Sequence, residues 1–209
     1  MCSSDLGILV TILTVSVGLL TGLIAGYAGG WSDAVIARLM DVIAAFPFLL
    51  FAIAASVVFG PSMALVVIVI SVFSWYYPGR LFRGEVMAIR HREFVQAAEM
   101  LGASRTRVLF RHLLPQLTGP IIVYTSLSVA GAIGAEAALT YLGFGLPFDV
   151  PSWGRMISDA VPGGLYRNAP HLMLIPGTLL VLTVLAFNLL GDGFRDALDP
   201  RGGTKGPGT

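Results

Sequence analysis

The stretch EFVQAAEMLGASRTRVLFRHLLPQL, residues 93–117, is the one long charged run in a chain that is otherwise apolar. Phe94, Ala97, Ala98 and Leu101, then Val108 and Leu109, recur at helical spacing and predict two short amphipathic helices with these residues on the apolar face. Gly102 lies between them, where either a left-handed turn or a close contact needs the missing side chain. Ser104 is placed to cap the second helix. Pro115 marks where that helix ends or bends.

Around this run the chain is oily. Of its 209 residues 56% are hydrophobic and 12% charged, with a mean hydropathy of +0.82. A soluble domain carries about 25% charged residues, so this chain has too few charges to coat a water-exposed globule. A net charge of +1 gives no footprint for nucleic acid. The single cysteine, Cys2, forms no internal disulfide and says nothing of the redox compartment. The start has no basic stretch before its long apolar run, which reads as a membrane span and not a cleaved signal peptide.

Crossing the hydrocarbon layer takes about 20 mostly apolar residues. Residues 6–32 carry no charge, and neither do residues 42–79, a run too long for one crossing that Gly60-Pro61 divides. The expectation is an all-α, polytopic transmembrane bundle forming one domain over residues 1–201. Its five spans lie at about 6–27, 39–59, 62–77, 117–142 and 171–190. A polar hinge holding Asp33, Arg38 and Asp41 separates the first two spans. A loop covers 78–115, an outer segment 143–170, and a disordered tail 202–209. Small residues recur inside the spans, as in GLLTGLIAGYAGG, and allow close helix approach where lipid provides no hydrophobic drive. Pro47 and Pro176 should kink their helices, either for ordinary packing or as part of a gated path.

Orientation follows the arginines. Arg80, Arg83, Arg90, Arg92, Arg105, Arg107 and Arg111 all fall between spans three and four, which places that loop in the cytoplasm. The C-terminal tail then lies on the same side, 143–170 faces outward, and the chain begins outside. The loop itself admits two readings: helices lying on lipid headgroups, or a docking element for a soluble partner.

No enzyme constellation is present. GxxxxGK[ST], HExxH and CxxC are absent, and His91, His112 and His171 are too scattered to suggest a metal site. Glu136, within span four, should face the bundle interior or an aqueous cavity, because a carboxylate in hydrocarbon is costly. It either lines or gates a path or makes a helix-to-helix hydrogen bond. Asn188 is a weaker case of the same kind.

QAAEMLGASRTRVLFRHLLP resembles the EAA loop of the inner-membrane permease subunits of bacterial ABC importers. The family pattern is Glu-Ala-Ala, three residues, Gly, nine residues, Ile, one residue, Leu-Pro. Ala97, Ala98, Gly102, Leu114 and Pro115 fall on it, whereas Gln96 stands at the glutamate position and His112 at the isoleucine position. AGYAGGWSD, RLMDVIAAFPFLL, YLGFGLP, PSWGRMI and LTVLAFNLLGDGFRDALDPR resemble the second permease of the dipeptide, oligopeptide and nickel group, from about residue 8 to 201.

The resemblance implies a transmembrane subunit of an ATP-driven importer of di- or oligopeptides, with nickel or another small solute as the alternative cargo and a non-transporting scaffold subunit as the rival class. It implies a bacterial or archaeal inner membrane, a lipid bilayer around a multi-pass chain, and pairing with a homologous permease subunit. Two cytoplasmic ATPase subunits would bind the ATP, so this chain needs no cofactor of its own. An extracytoplasmic solute-binding protein would deliver cargo. Glu93, Gln96, Ala97, Ala98, Gly102, Arg105 and Pro115 would couple to the ATPases. Glu136, Asn188 and Pro47 are candidates for the path or gate, and Trp153, Gly154 and Arg155 for the binding-protein face. The family's six spans lead us to expect one further span before residue 1.

Overall fold

The computed structural model describes residues 3–198 of the chain; the tail expected at 202–209 lies outside them. Among the described residues the fold is all-α. Four helices are long and apolar enough to cross a membrane: Asp5–Ala28, Met63–Ile89, Arg105–Tyr141 and His171–Leu198. Gly30–Ala45 and Phe48–Phe59 form a bent pair that supplies a fifth crossing if counted as one.

α1 (Ser3–Ala28) is the central helix, packed against four of the helices that follow. It has no polar face to turn toward water: one side packs on other helices and the other exposes Ile8, Ile12, Leu20 and Ile24, as expected of a membrane-spanning helix. Gly18, Gly22 and Gly26 form one stripe, four residues apart, against α5 (Tyr76–Ile89). A Cβ at Gly18 would lie 2.6 Å from Pro78 Cγ, at Gly22 2.9 Å from the backbone nitrogen of Arg83, and at Gly26 2.7 Å from Val86 Cβ. The missing side chains let two backbones touch, which is how helices associate in lipid. The pairs rise together along both chains, so α1 and α5 run parallel.

Gly29 and Gly30 take φ of 64° and 58° and turn the chain into α2 (Gly30–Ala45). The expected polar hinge is absent: Asp33, Arg38 and Asp41 are helical residues of α2. Two of them are held across the groove, because both carboxylates meet arginines of α5. Asp33 takes a two-pronged contact from Arg83, with Nη2 at 2.7 Å, and Asp41 accepts from Arg80 at 2.7 Å.

The second expected span, 39–59, is likewise not one kinked helix. α2 stops at Ala45, Phe46 and Pro47 are extended, and α3 (Phe48–Phe59) leaves at 76°. The proline ring bars the preceding residue from helical backbone, so the helix ends instead of bending. Gly60 ends α3 at φ 80°, and Ser62 starts α4 (Met63–Ser74) by accepting from the Leu65 amide at 3.1 Å.

α4 passes into α5 through Trp75, which keeps helical dihedrals. The third expected span therefore does not end at 77; helix continues to Ile89, and the first turns of the expected loop belong to the bundle. α6 (Glu93–Met100) follows. A helical run over 105–117 then loosens to π geometry at Val108–Leu113, tightens to 3-10 geometry at Leu114–Leu117, and enters α7 (Thr118–Tyr141). Pro115 sits in the tight turn, where its missing N–H is tolerated, and the run goes on. α8 (Trp153–Asp159) lies within residues 143–170, and α9 (His171–Leu198) returns antiparallel to α7, with Gly191 on Leu127 and Leu198 near Gly119, continuing through Pro176.

Candidate functional site

The charged run is fastened to the bundle by one buried row. Val95, Val108, Leu113 and Leu117 pack with Leu23 of α1 and Val86 and Ile89 of α5. The inward residue of α6 is thus Val95, not Phe94 or Leu101 as the helical rhythm suggested: Phe94 is 40% and Leu101 89% exposed. Met100 is 86% exposed beside it. The loop therefore carries two apolar faces, one against the bundle and one presented outward.

Gly102 has φ 79°, and a Cβ built there would meet nothing within 4 Å. Of its two sequence roles the structure selects the left-handed turn over the close contact. The turn closes α6 with Gly102 N donating to Glu99 O at 2.9 Å and Ala103 N to Ala98 O at 3.0 Å. Ser104 Oγ then caps the next turn by accepting from Arg107 N at 3.3 Å. Apolar Met100 and Leu101 are held at the tip by this pair of backbone constraints.

Two polar contacts join this loop and its approach to the end of α1. Arg90 Nη1 donates to Gly26 O at 3.0 Å and Tyr27 O at 3.5 Å. These carbonyls lie in the last turn of α1, where helix geometry leaves acceptors without partners and a cation is favoured. Tyr27 Oη donates to Glu99 Oε1 at 2.7 Å. Neither Tyr27 nor Glu99 stands out in the sequence, since 72 residues separate them. Glu93, Gln96, Ala97, Arg105 and Pro115 are exposed around the same element and Ala98 is half-buried. Gln96 Nε2 donates to His91 O at 3.1 Å and steadies the entry to α6.

A cleft of about 1080 Å³ opens between α1, α5 and α7, with α4 and the end of α9 also lining it. Tyr77 and Tyr124, both lining it, stack on each other with ring centroids 5.7 Å apart. Thr11, Thr14, Ser74 and Ser128 add hydroxyls to an otherwise apolar wall. Glu85 and Arg195 are the charged residues among those that border it. Glu136, Asn188 and Pro47 are not among its lining residues: Glu136 is buried, Asn188 partly buried, and Pro47 is exposed at the bend between α2 and α3. In the sequence this wall is marked only by two threonines three residues apart in an apolar span, a common pattern with no meaning of its own.

Glu136 belongs to a network at the other end of α7. Thr140 Oγ1 donates to Glu136 Oε1 at 2.8 Å and accepts from Leu146 N at 3.1 Å. Leu146 O in turn accepts from Arg155 Nη2 at 2.8 Å, and the Arg155 guanidinium lies 4.1 Å from the Phe148 ring centroid. Gly154 lets α8 rest on α7: a Cβ there would stand 2.2 Å from Ala137 O. Trp153, Gly154 and Arg155 thus sit on one short helix, started by Ser152 accepting from Arg155 N at 3.1 Å, and tied through Leu146 to Glu136.

The profile of the family described as binding-protein-dependent transport system inner membrane component matches residues 18–202. The dipeptide transport system permease protein DppC of Alkalihalophilus pseudofirmus is 43% identical over 88% of this chain and 60% of its own length. The glutathione transport system permease protein GsiD of Pectobacterium atrosepticum is 40% identical over 93% and 64%, and the oligopeptide transport system permease protein OppC of Bacillus subtilis 37% over 94% and 64%. The chain spans somewhat under two thirds of the length of these relatives. An inward-facing structure of the MetNI methionine ABC transporter shares the fold at TM-score 0.76, with 15% identity over 94% of this chain and 93% of that one.

Proposed function

Since this chain belongs to the family of binding-protein-dependent transport system inner membrane components, we propose that it is a membrane-spanning subunit of an ATP-driven importer whose cargo is a di- or oligopeptide. The observation that carries this reading is the tip at Met100 and Leu101, apolar, exposed and braced by the Gly102 turn. Apolar side chains held out on a rigid charged loop suit the groove of a soluble partner. Two cytoplasmic ATPase subunits are that partner. Glu93, Gln96, Ala97, Ala98, Arg105 and Pro115 surround the contact.

Force on the loop reaches the bundle along the fixed path from Glu99 to Tyr27 and from Arg90 to the last carbonyls of α1. α1 is locked to α5 by the glycine stripe, so the two helices move as a unit against α7. Coupling requires an element with two arrangements that both sites bias, and the seam between α5 and α7 is where this bundle is open. A homologous permease subunit completes the path, and Glu136 and the break at Pro47 act at its margins. The short helix carrying Trp153 and Arg155, seated on α7 through Gly154, meets the solute-binding protein on the outer side of a bacterial or archaeal inner membrane. The names of the relatives, dipeptide, glutathione and oligopeptide permeases, favour peptide cargo over nickel.

The test is reconstitution of the chain with its partner subunits and binding protein in proteoliposomes. Uptake of a dipeptide that needs both ATP and the binding protein supports the reading. ATP hydrolysis by the assembled complex without uptake of peptide or Ni²⁺ overturns it in favour of a scaffold.

A further inference from the structure

Three hydroxyls on α1 and α7 show the usual arrangement. Thr21 donates to Val17 O at 2.8 Å, Thr125 to Ile121 O at 2.7 Å and Ser126 to Ile122 O at 3.0 Å, each settling on its own helix one turn back. This is how a hydroxyl is normally satisfied in a membrane helix. Like Ser71 of α4, which is not among the residues lining the cleft, Thr11 and Thr14 break the pattern. They are 1% and 2% exposed, and among the described residues neither hydroxyl has a hydrogen-bond partner. Both border the cleft between α1, α5 and α7. A buried polar group without a partner is costly, and two of them on one helix face beside a large cleft need an occupant.

We propose that Thr11 and Thr14 form a binding point for the peptide main chain inside this cleft. The inference rests on the transport reading above and deepens it by saying how the path holds its cargo. A hydroxyl both donates and accepts. Two of them, about 5–6 Å apart at i, i+3 spacing, match the N–H and C=O groups of a short peptide and take no account of its side chains. The opposite walls are consistent with this. Ser74, Tyr77, Tyr124 and Ser128 offer further hydroxyls, and Glu85 and Arg195 are the charged lining residues among those described. The volume, about 1080 Å³, is at the upper end of small-molecule sites. Peptides of differing side-chain charge are therefore carried alike at this point.

The experiment uses the complete importer in proteoliposomes, with alanyl-alanine as the probe. Thr11→Val with Thr14→Val keeps shape and removes both hydroxyls. The expected result is an uptake KM raised about tenfold, from two lost hydrogen bonds, with unchanged maximal ATP hydrolysis; Thr11→Ser with Thr14→Ser keeps wild-type uptake. A merely structural role would lower assembly and ATP hydrolysis together and leave KM unmoved. Wild-type KM in the valine pair overturns the inference while the transport reading stands. No uptake by the wild-type importer overturns both.

Should the valine pair fail to assemble, a Ser74→Cys variant, at a half-buried position bordering the same cleft, is labelled with a small maleimide in a Cys2→Ser background. Protection by alanyl-alanine supports the site. Labelling that is blocked by assembly with the second permease, with no effect of peptide, gives the cleft to that subunit and overturns the inference.

Discussion

The hydroxyl of Tyr27, in the last turn of α1, donates to the Glu99 carboxylate of α6 at 2.7 Å. It joins the helix at the centre of the bundle to the loop at its edge, with the Arg90 contact to Gly26 O a short distance away. The bond is exposed, so its contribution to stability is small, whereas its position makes it a mechanical link.

Tyr27→Phe should therefore leave insertion and thermal stability within about 0.5–1 kcal/mol of wild type. We expect fewer peptides imported per ATP hydrolysed. The ratio of uptake to hydrolysis in proteoliposomes checks this, and a ratio equal to wild type removes the link from the mechanism.

Gly102→Val should detach the ATPase subunit. A β-branched residue at φ 79° is strained by about 1–3 kcal/mol, and relief of that strain moves Met100 and Leu101 off the tip. The buried row at Val95 and Val108 is separate from the turn, so the membrane bundle should stay folded. Co-purification of the ATPase at wild-type yield with normal uptake would refute the docking assignment.

Gly22→Leu should destabilise the bundle by about 3 kcal/mol or more, beyond ordinary overpacking, because the obstacle at 2.9 Å is the Arg83 backbone and not a flexible side chain. Gly84→Ala, with nothing within 4 Å of the added carbon, is the matched control and should be neutral or slightly stabilising. Melting temperatures in detergent compare them.

Asp33→Asn should cost about 1–3 kcal/mol by leaving Arg83, whose side chain is 30% exposed, without its paired charge. Asp41→Asn touches a pair whose side chains are about half exposed and should cost under about 1 kcal/mol. Equal effects of the two substitutions on melting would contradict this ranking.

Periodicity in α6 led to the wrong face for a physical reason. It assigns every apolar residue to the packed side, and Phe94 and Leu101 obey the spacing yet point out, while Val95 alone turns in. A helix with a second apolar face defeats that rule. Pro47 was legible as a disruption, and only the extended backbone of Phe46 decided that the helix ends there instead of bending. Gly102 was legible as special, and only its dihedral angle decided which of its two uses applies.

The number of apolar segments and the place of the charged run were readable because the cost of putting a residue in hydrocarbon is local and nearly additive along a helix. Which helices touch was not readable from that ledger. The Gly18–Gly22–Gly26 stripe is small in any register, and only the fold shows that it meets Pro78, Phe82 and Val86. Likewise two threonines in an apolar span are unremarkable until the fold leaves them buried, without partners, on the wall of a cleft. Contacts between residues far apart in the chain are set by shape and backbone approach in three dimensions, and no nearest-neighbour rule contains them.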